Sequence, residues 1–323
     1  MALTRSGHSL CLRMTVRTMR PEELETCAGL GGTGWLANVV RDFWKDGQSS
    51  PDRCFVAEDQ GQPVGRVFFH SLSSPTDLAM FGTHLDWQSD FFEPGKTLLG
   101  TALARLKETG VTSVDYAIYD IYDPNPGRQK ELIEAVGFRQ YQEKRRFVWK
   151  DPGAAVEVPA RLAFRPLADV GEDAFTRAVQ RVTERTLDRE HQARVTESGA
   201  QEAARRYMQV LKDADLQPTW WMLGYLADGT LCGLVVPQKL SDAEGTINYI
   251  GVVPKQRGNG YGLDLLRKGT AVLQQGGFKD VAAETDSENT PLNVELERAG
   301  YCHHGTMRCF RWDLTQDRGT PSA

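Results

Sequence analysis

Paired cysteines, an excess of basic charge and an apolar run long enough to cross a bilayer are all missing from this chain of 323 residues. Its six cysteines, Cys11, Cys27, Cys54, Cys232, Cys302 and Cys309, include no C-x-x-C pair and are too sparse for a disulfide framework. Reduced thiols in a cytoplasmic protein are therefore expected. Lys and Arg number 38 against 43 Asp and Glu, a formal charge of −5, so the basic field that draws proteins to nucleic acid is absent. The stretch Met1 to Met14 carries Arg5 and Arg13 around a broken apolar patch at Leu10 to Leu12, too short for a signal-peptide core or a membrane span. It reads as a tail ahead of the first strand. With 40% hydrophobic and 25% charged residues the composition is that of an ordinary globular protein, which excludes a disordered chain.

At this length two domains are expected, and an internal repeat supports them. Gly137-Phe138 followed by Arg145, Phe147 and Trp149 aligns with Gly300-Tyr301 followed by Arg308, Phe310 and Trp312. Cys54 to Phe69 similarly matches Trp221 to Val236. Between the copies, the Pro- and Gly-bearing run from Asp151 to Pro159 reads as a linker. The expected division is a first copy over 1–152, a linker over 153–159 and a second copy over 160–323.

In the second copy, hydrophobic periodicity predicts a strand at 161–165, helical segments over 169–213, a hairpin at 220–238 and a strand at 246–253. A helix at 260–275, a strand at 279–285, a helix at 289–299 and a last strand at 303–313 complete it. Strands interleaved with helices and hairpins give a mixed α/β (α+β) fold.

The most informative segment runs from Ile247 to Leu266: a strand, a turn bearing Gly258, Gly260 and Gly262, then a helix. Such a turn lets backbone approach a ligand closely, and the helix N-terminus offers unpaired N–H groups and partial positive charge to a pyrophosphate. Arg257 adds a cation. The G-x-x-x-x-G-K-[ST] pattern of nucleotide loops is absent.

Val252, Pro254, Arg257, Gly260 and Gly262 resemble the acyl-CoA signature of the GNAT superfamily of N-acetyltransferases. Asn289 ahead of Pro291-Leu292, and a helix ending at Ala299-Gly300-Tyr301, are similar to the family's next helix and strand. The resemblance implies two tandem GNAT-like domains, each a mixed, mostly antiparallel sheet flanked by helices. It also implies acetyl-CoA as acyl donor with no metal, held by Val252, Val253, Arg257, Gly258, Asn259, Gly260, Tyr261, Gly262, Leu263 and Asn289. Two parallel strands that splay apart would admit the pantetheine arm. The acceptor implied is the amine of a small molecule, not a nucleic acid or a membrane.

Family members commonly place a tyrosine acid where this chain has Leu296. Tyr301, nearby in sequence, is one substitute; for the base, Glu284 alternates with Asp286 on one strand face, and Tyr249 lies on the neighbouring strand. The first copy has Pro94, Thr97 and Leu99 where the second has Arg257, Gly260 and Gly262, so it has lost the signature. Gly95-Lys96-Thr97 invites a nucleotide-loop reading, but Asp90 stands where that motif needs its first glycine. Asp115, Asp120 and Asp123, interleaved with Tyr116, Tyr119 and Tyr122, are either a solvated strand end or a wall of the acceptor site. Cys302, His303, His304 and Cys309 do not form a chelating set, because adjacent residues on a strand face opposite ways. The tandem arrangement is similar to that of the mycothiol synthases. Chemistry is expected in the second copy, with the first shaping the cleft or a homodimer; the alternatives are a non-catalytic acyl-CoA sensor or scaffold, or a transferase using another acyl-CoA.

Overall fold

The structure, a computed structural model, describes residues 14–85, 91–123 and 125–313. The expected N-terminal tail lies outside the described residues up to Met14. The chain folds into two compact units. The first contains β1 (Thr15–Thr18), α1 (Leu24–Gly29), α2 (Leu36–Lys45), β2 (Cys54–Asp59), β3 (Gln62–Ser74), β4 (Asp77–His84), α3 (Phe92–Glu108), β5 (Ser113–Tyr119) and α4 (Pro126–Ala135). Its strands follow the order β1-β2-β3-β4-β5, and only the β4–β5 pair is parallel. Gly95, Lys96 and Thr97 lie inside α3, with Gly95 packed against Leu85 and Leu132, so they form no phosphate loop.

The second unit begins with most of β6 (Arg139–Lys150) and continues through β7 (Ala163–Pro166), α5 (Leu167–Val170), α6 (Glu172–Thr183), α7 (Arg189–Ser198), α8 (Ala200–Ala214), β8 (Met222–Tyr225), β9 (Leu231–Lys239), β10 (Glu244–Val252), α9 (Tyr261–Gln275), β11 (Asp280–Asp286), α10 (Thr290–Arg298) and the start of β12 (Cys302–Asp313). Its strand order is β6-β11-β10-β9-β8-β7, all antiparallel except β10 with β11. The fold is thus the mixed, mostly antiparallel α/β arrangement expected. Helices and strands fall close to their predicted bounds, and the helical segments expected over 169–213 are resolved as α6, α7 and α8. The break between α6 and α7 is set by Asp188, whose carboxylate caps α7 by accepting from the His191 N–H at 3.0 Å.

The compact units differ from the sequential division at 1–152 and 160–323. Among the described residues, unit one takes those up to Tyr141 together with 308–313, and unit two takes 142–307. The reason is side-chain burial. Phe147 and Trp149 of β6 pack among Leu265, Leu273, Val281 and Tyr301 in the second unit, whereas Phe310 and Trp312 of β12 join the core of the first. The repeat is kept in exchanged form: Gly137 lies against Trp312 and Gly300 against Trp149.

Alternation along β9 supplies both faces of the second unit's sheet. Val235 faces Leu265, Leu266 and Leu273 on the α9 side, while Leu234 and Val236 face Phe175, Val179, Met208 and Trp221 on the α6 and α8 side. Each such side chain stabilises by about 1.5–3 kcal/mol on burial, which fixes the strands that carry the site. Among the described residues no helix is long and apolar enough to cross a membrane.

Candidate functional site

β10 and β11 pair in parallel only from Glu244↔Asp280 to Ile247↔Ala283, although β10 runs on to Val252 and β11 to Asp286. A bulge between Ile247 and Tyr249 marks the parting. Beyond it β10 stays with β9 as far as Val252↔Gly233, and β11 stays with β6 as far as Asp286↔Lys144. The result is a V-shaped opening in the sheet. Val253 N–H donates to Cys232 O at 2.8 Å. By the alternation of an antiparallel ladder, Ile250 and Val252 therefore turn their N–H groups into the opening. Arg146 ties the closed end, gripping Glu244 at 2.8 and 2.9 Å and Glu284 at 3.1 Å.

At the open end of β10 lies the glycine turn. Gly260, at φ +75°, is the left-handed N-cap of α9 and has no side-chain cap, so the N–H groups of the first turn point out of the helix unclaimed. Arg161, just past the linker, holds the turn from outside. It donates to Asn259 O at 3.2 Å and Gly260 O at 3.1 Å, and it pairs with buried Asp264 at 2.7 Å. A Cβ at Gly262 would press on the Glu295 carboxylate, the end of a flexible side chain, which would have to move aside. Burial raises Glu295 above the ordinary carboxyl range.

A cleft of about 660 Å³ connects this turn with the splay, and all its walls belong to the second unit. Val252, Arg257, Gly258, Gly260, Tyr261, Gly262, Asn289, Tyr249 and Glu284 line it. Val253 does not; its N–H is taken by Cys232 and its side chain is in the core. Asn259 and Leu263 also lie off the lining, Asn259 closing the turn through Gln256 O at 3.1 Å. Arg257 is differently employed than its sequence position suggests. Its guanidinium donates to Val252 O (3.0 Å), Val182 O (3.0 Å), Glu184 O (2.8 Å) and Arg185 O (2.8 Å), stapling the end of α6 to the glycine turn.

Among the catalytic candidates, Tyr301 is corrected by the structure. It is 2% exposed, its hydroxyl shares a 2.7 Å hydrogen bond with Thr270 Oγ1, and burial raises its pKa. Leu296 is likewise wholly buried in the core. Tyr301→Phe should cost about 1 kcal/mol of stability, the worth of one hydrogen bond, and leave ligand binding in the cleft and any turnover unchanged. Thermal unfolding beside calorimetry checks this; a stable variant with collapsed turnover would restore Tyr301 to the site. Glu284 is in the cleft but paired with Arg146, and Asp286 is buried, accepting from Gln142 at 3.1 Å. The Asp115 segment belongs to the first unit, where Arg311 pairs with Asp115 at 2.6 Å and Asp123 accepts from the Tyr119 N–H, so it walls no part of this cleft.

Sequence reasoning missed the far end of the cleft. There His191 of α7, Tyr207 of α8 and Tyr249 of β10 form a three-ring box, with centroids 4.4, 5.0 and 4.9 Å apart. Burial pushes the Tyr249 phenol well above its ordinary range, so it keeps its proton at neutral pH. Beside the box, Lys144 of β6 pairs with Glu190 at 3.1 Å, and Arg194 pairs with the same carboxylate. Burial alone would raise Glu190, but the two cations bring it down to about 2. Of these residues the sequence had pointed only to Tyr249. Among the described residues no group of three or more His, Cys, Asp or Glu is placed to hold a metal ion.

Residues 183–301 match the profile of the acetyltransferase (GNAT) family. No protein of curated function matches the sequence. In fold, the chain is similar to a GCN5-related N-acetyltransferase from Sphaerobacter thermophilus, with 17% identity, a TM-score of 0.64, and 93% of this chain and 96% of the other covered. It is also similar to a tandem GNAT protein from the clavulanic acid biosynthesis pathway, at 12% identity and a TM-score of 0.55, covering 96% and 100% of the two chains. A third similarity, to a GCN5-related glucosamine N-acetyltransferase region of a fungal multi-domain enzyme, has 13% identity and a TM-score of 0.58. It covers 92% of this chain and 38% of that one. The chain therefore shares the fold of these GNAT proteins, a tandem one among them, and the residues that match the GNAT family lie in its second unit.

Proposed function

We propose that this chain, whose residues 183–301 are a GNAT domain, transfers the acetyl group of acetyl-CoA to the amine of a small molecule, with the chemistry in its second unit. One observation carries the reading: an open strand edge at Ile250 and Val252 and an uncapped helix N-terminus at Gly260 face one continuous cleft. An acyl-CoA needs both. Amide-bearing pantetheine pairs with backbone like an added strand, and pyrophosphate accepts from helix N-terminal amides. Asn289, at the N-cap of α10, adds a side-chain amide on the opposite wall.

In this reading the Ile250 and Val252 N–H groups are the donors for the oxyanion of the tetrahedral intermediate. Tyr249, held protonated by burial, is the acid for the departing thiolate. Buried free thiols at Cys27, Cys54 and Cys232 suit a cytoplasmic enzyme. The competing reading, an acyl-CoA sensor, is favoured by Leu296, a core residue where an acid is usual.

Purified protein incubated with acetyl-CoA and a panel of small amines separates the two. The transferase releases free thiol only when an amine is present. Tight binding of acetyl-CoA with no release for any amine would favour the sensor, and release with propionyl- or succinyl-CoA alone would move the donor to another acyl group.

A further inference from the structure

We propose that His191 is the general base that deprotonates the acceptor amine, held in place by the rings of Tyr207 and Tyr249; this rests on the transferase reading above. His191 lines the cleft on α7, and Tyr249, its neighbour at 5.0 Å, stands on β10 one residue past the bulge where the sheet opens. The base is thus beside the opening that would admit the thioester. Tyr207 meets the imidazole edge-on, at 88° and 4.4 Å. Among the described residues no side chain or carbonyl hydrogen-bonds the ring nitrogens, so the ring is oriented by packing and keeps a nitrogen for a proton. A satisfied structural histidine spends its nitrogens on partners; this one does not.

The alternatives are committed elsewhere. Glu284 is paired with Arg146, and Glu190 is held between Lys144 and Arg194. The charged and titratable groups around His191 are Asp188, Glu190 and Arg194 on its own helix, Lys144 on β6, Tyr207 on α8 and Tyr249 on β10. Burial outweighs the two carboxylates and holds the imidazole below its ordinary value, so it is neutral, and a base, at pH 7.

The step balances as follows. An acceptor arriving as an ammonium gives one proton to a His191 ring nitrogen. The freed lone pair forms the C–N bond at the thioester carbonyl, and the C–S bond breaks with its electron pair leaving on sulfur. The nitrogen loses its second proton and the thiolate gains one, while the imidazolium returns its proton to solvent. The products are an amide and free CoA thiol.

The test uses the full-length protein with acetyl-CoA and benzylamine, putrescine, glucosamine and glycinamide as acceptors. The wild type should show turnover rising with pH along a limb below about 6.5, the ordinary imidazole value. His191→Gln should lose that limb and about 100-fold or more in kcat, the scale of general base catalysis, at unchanged acetyl-CoA affinity by calorimetry. His191→Ala should recover turnover when imidazole is added, which a merely structural histidine would not permit. Retention of turnover and limb in His191→Gln overturns the proposal, as does a loss of turnover matched by a loss of acetyl-CoA affinity. A wild type that binds acetyl-CoA yet releases no thiol with any of these amines fails at the transferase reading itself, and His191 falls with it.

Discussion

Gly260→Val is expected to lower acetyl-CoA affinity by at least ~100-fold, since two lost hydrogen bonds to charged phosphate, at about 1.5–3 kcal/mol each, already amount to that. Gly260 is the left-handed residue at φ +75° that turns the chain into α9. A β-branched residue is strained there, and relieving the strain rotates the first-turn amides away from the cleft. Space is not the obstacle, because the nearest atom to a Cβ at this position is Arg161 Nη2 at 3.6 Å. Circular dichroism should show an intact fold, while calorimetry shows the lost affinity. Near-native affinity would mean that the anion is bound elsewhere.

Arg257→Ala should act first on the unliganded protein. Its guanidinium holds carbonyls of Val182, Glu184, Arg185 and Val252, three of them at or just past the end of α6, whose helix hydrogen bonds have run out. Discounted for the residue's exposure to water, the loss is about 2 kcal/mol, or roughly 4–8 °C in the unfolding midpoint. Acetyl-CoA affinity falls too, because the staple sets the glycine turn and the segment leading into α7. A direct phosphate contact predicts the opposite pattern. Calorimetric scans without ligand decide: an unchanged midpoint beside weakened binding would place the guanidinium on the phosphate.

The fate of individual residues shows what kind of information a sequence holds. Gly258, Gly260 and Gly262 were identifiable because a positive φ and an approach to the helix N-terminus are properties of a few consecutive residues. Arg257 stood out equally, but its work did not, since the carbonyls it serves are about 70 residues away. Val253 looked like a pantetheine contact by adjacency, yet strand alternation turns it toward Cys232. Tyr301 was drawn in by its nearness to Leu296 in sequence, and the packing of α9 claims it through Thr270. The segments within 169–213 had no internal boundaries in the periodicity, although Asp188 carried the start signal of an N-cap.

The sequence alone pointed to the glycine turn, because a strand, a left-handed turn and a helix start are made by neighbouring residues, although Arg161 and the end of α6 hold that turn from elsewhere in the chain. The far end of the cleft was decided by tertiary structure. His191, Tyr207 and Tyr249 come from α7, α8 and β10, and Lys144 joins them because β6, ahead of the linker, pairs with β11 in the second unit. That pairing depends on long-range burial of Phe147 and Trp149, which no local pattern encodes.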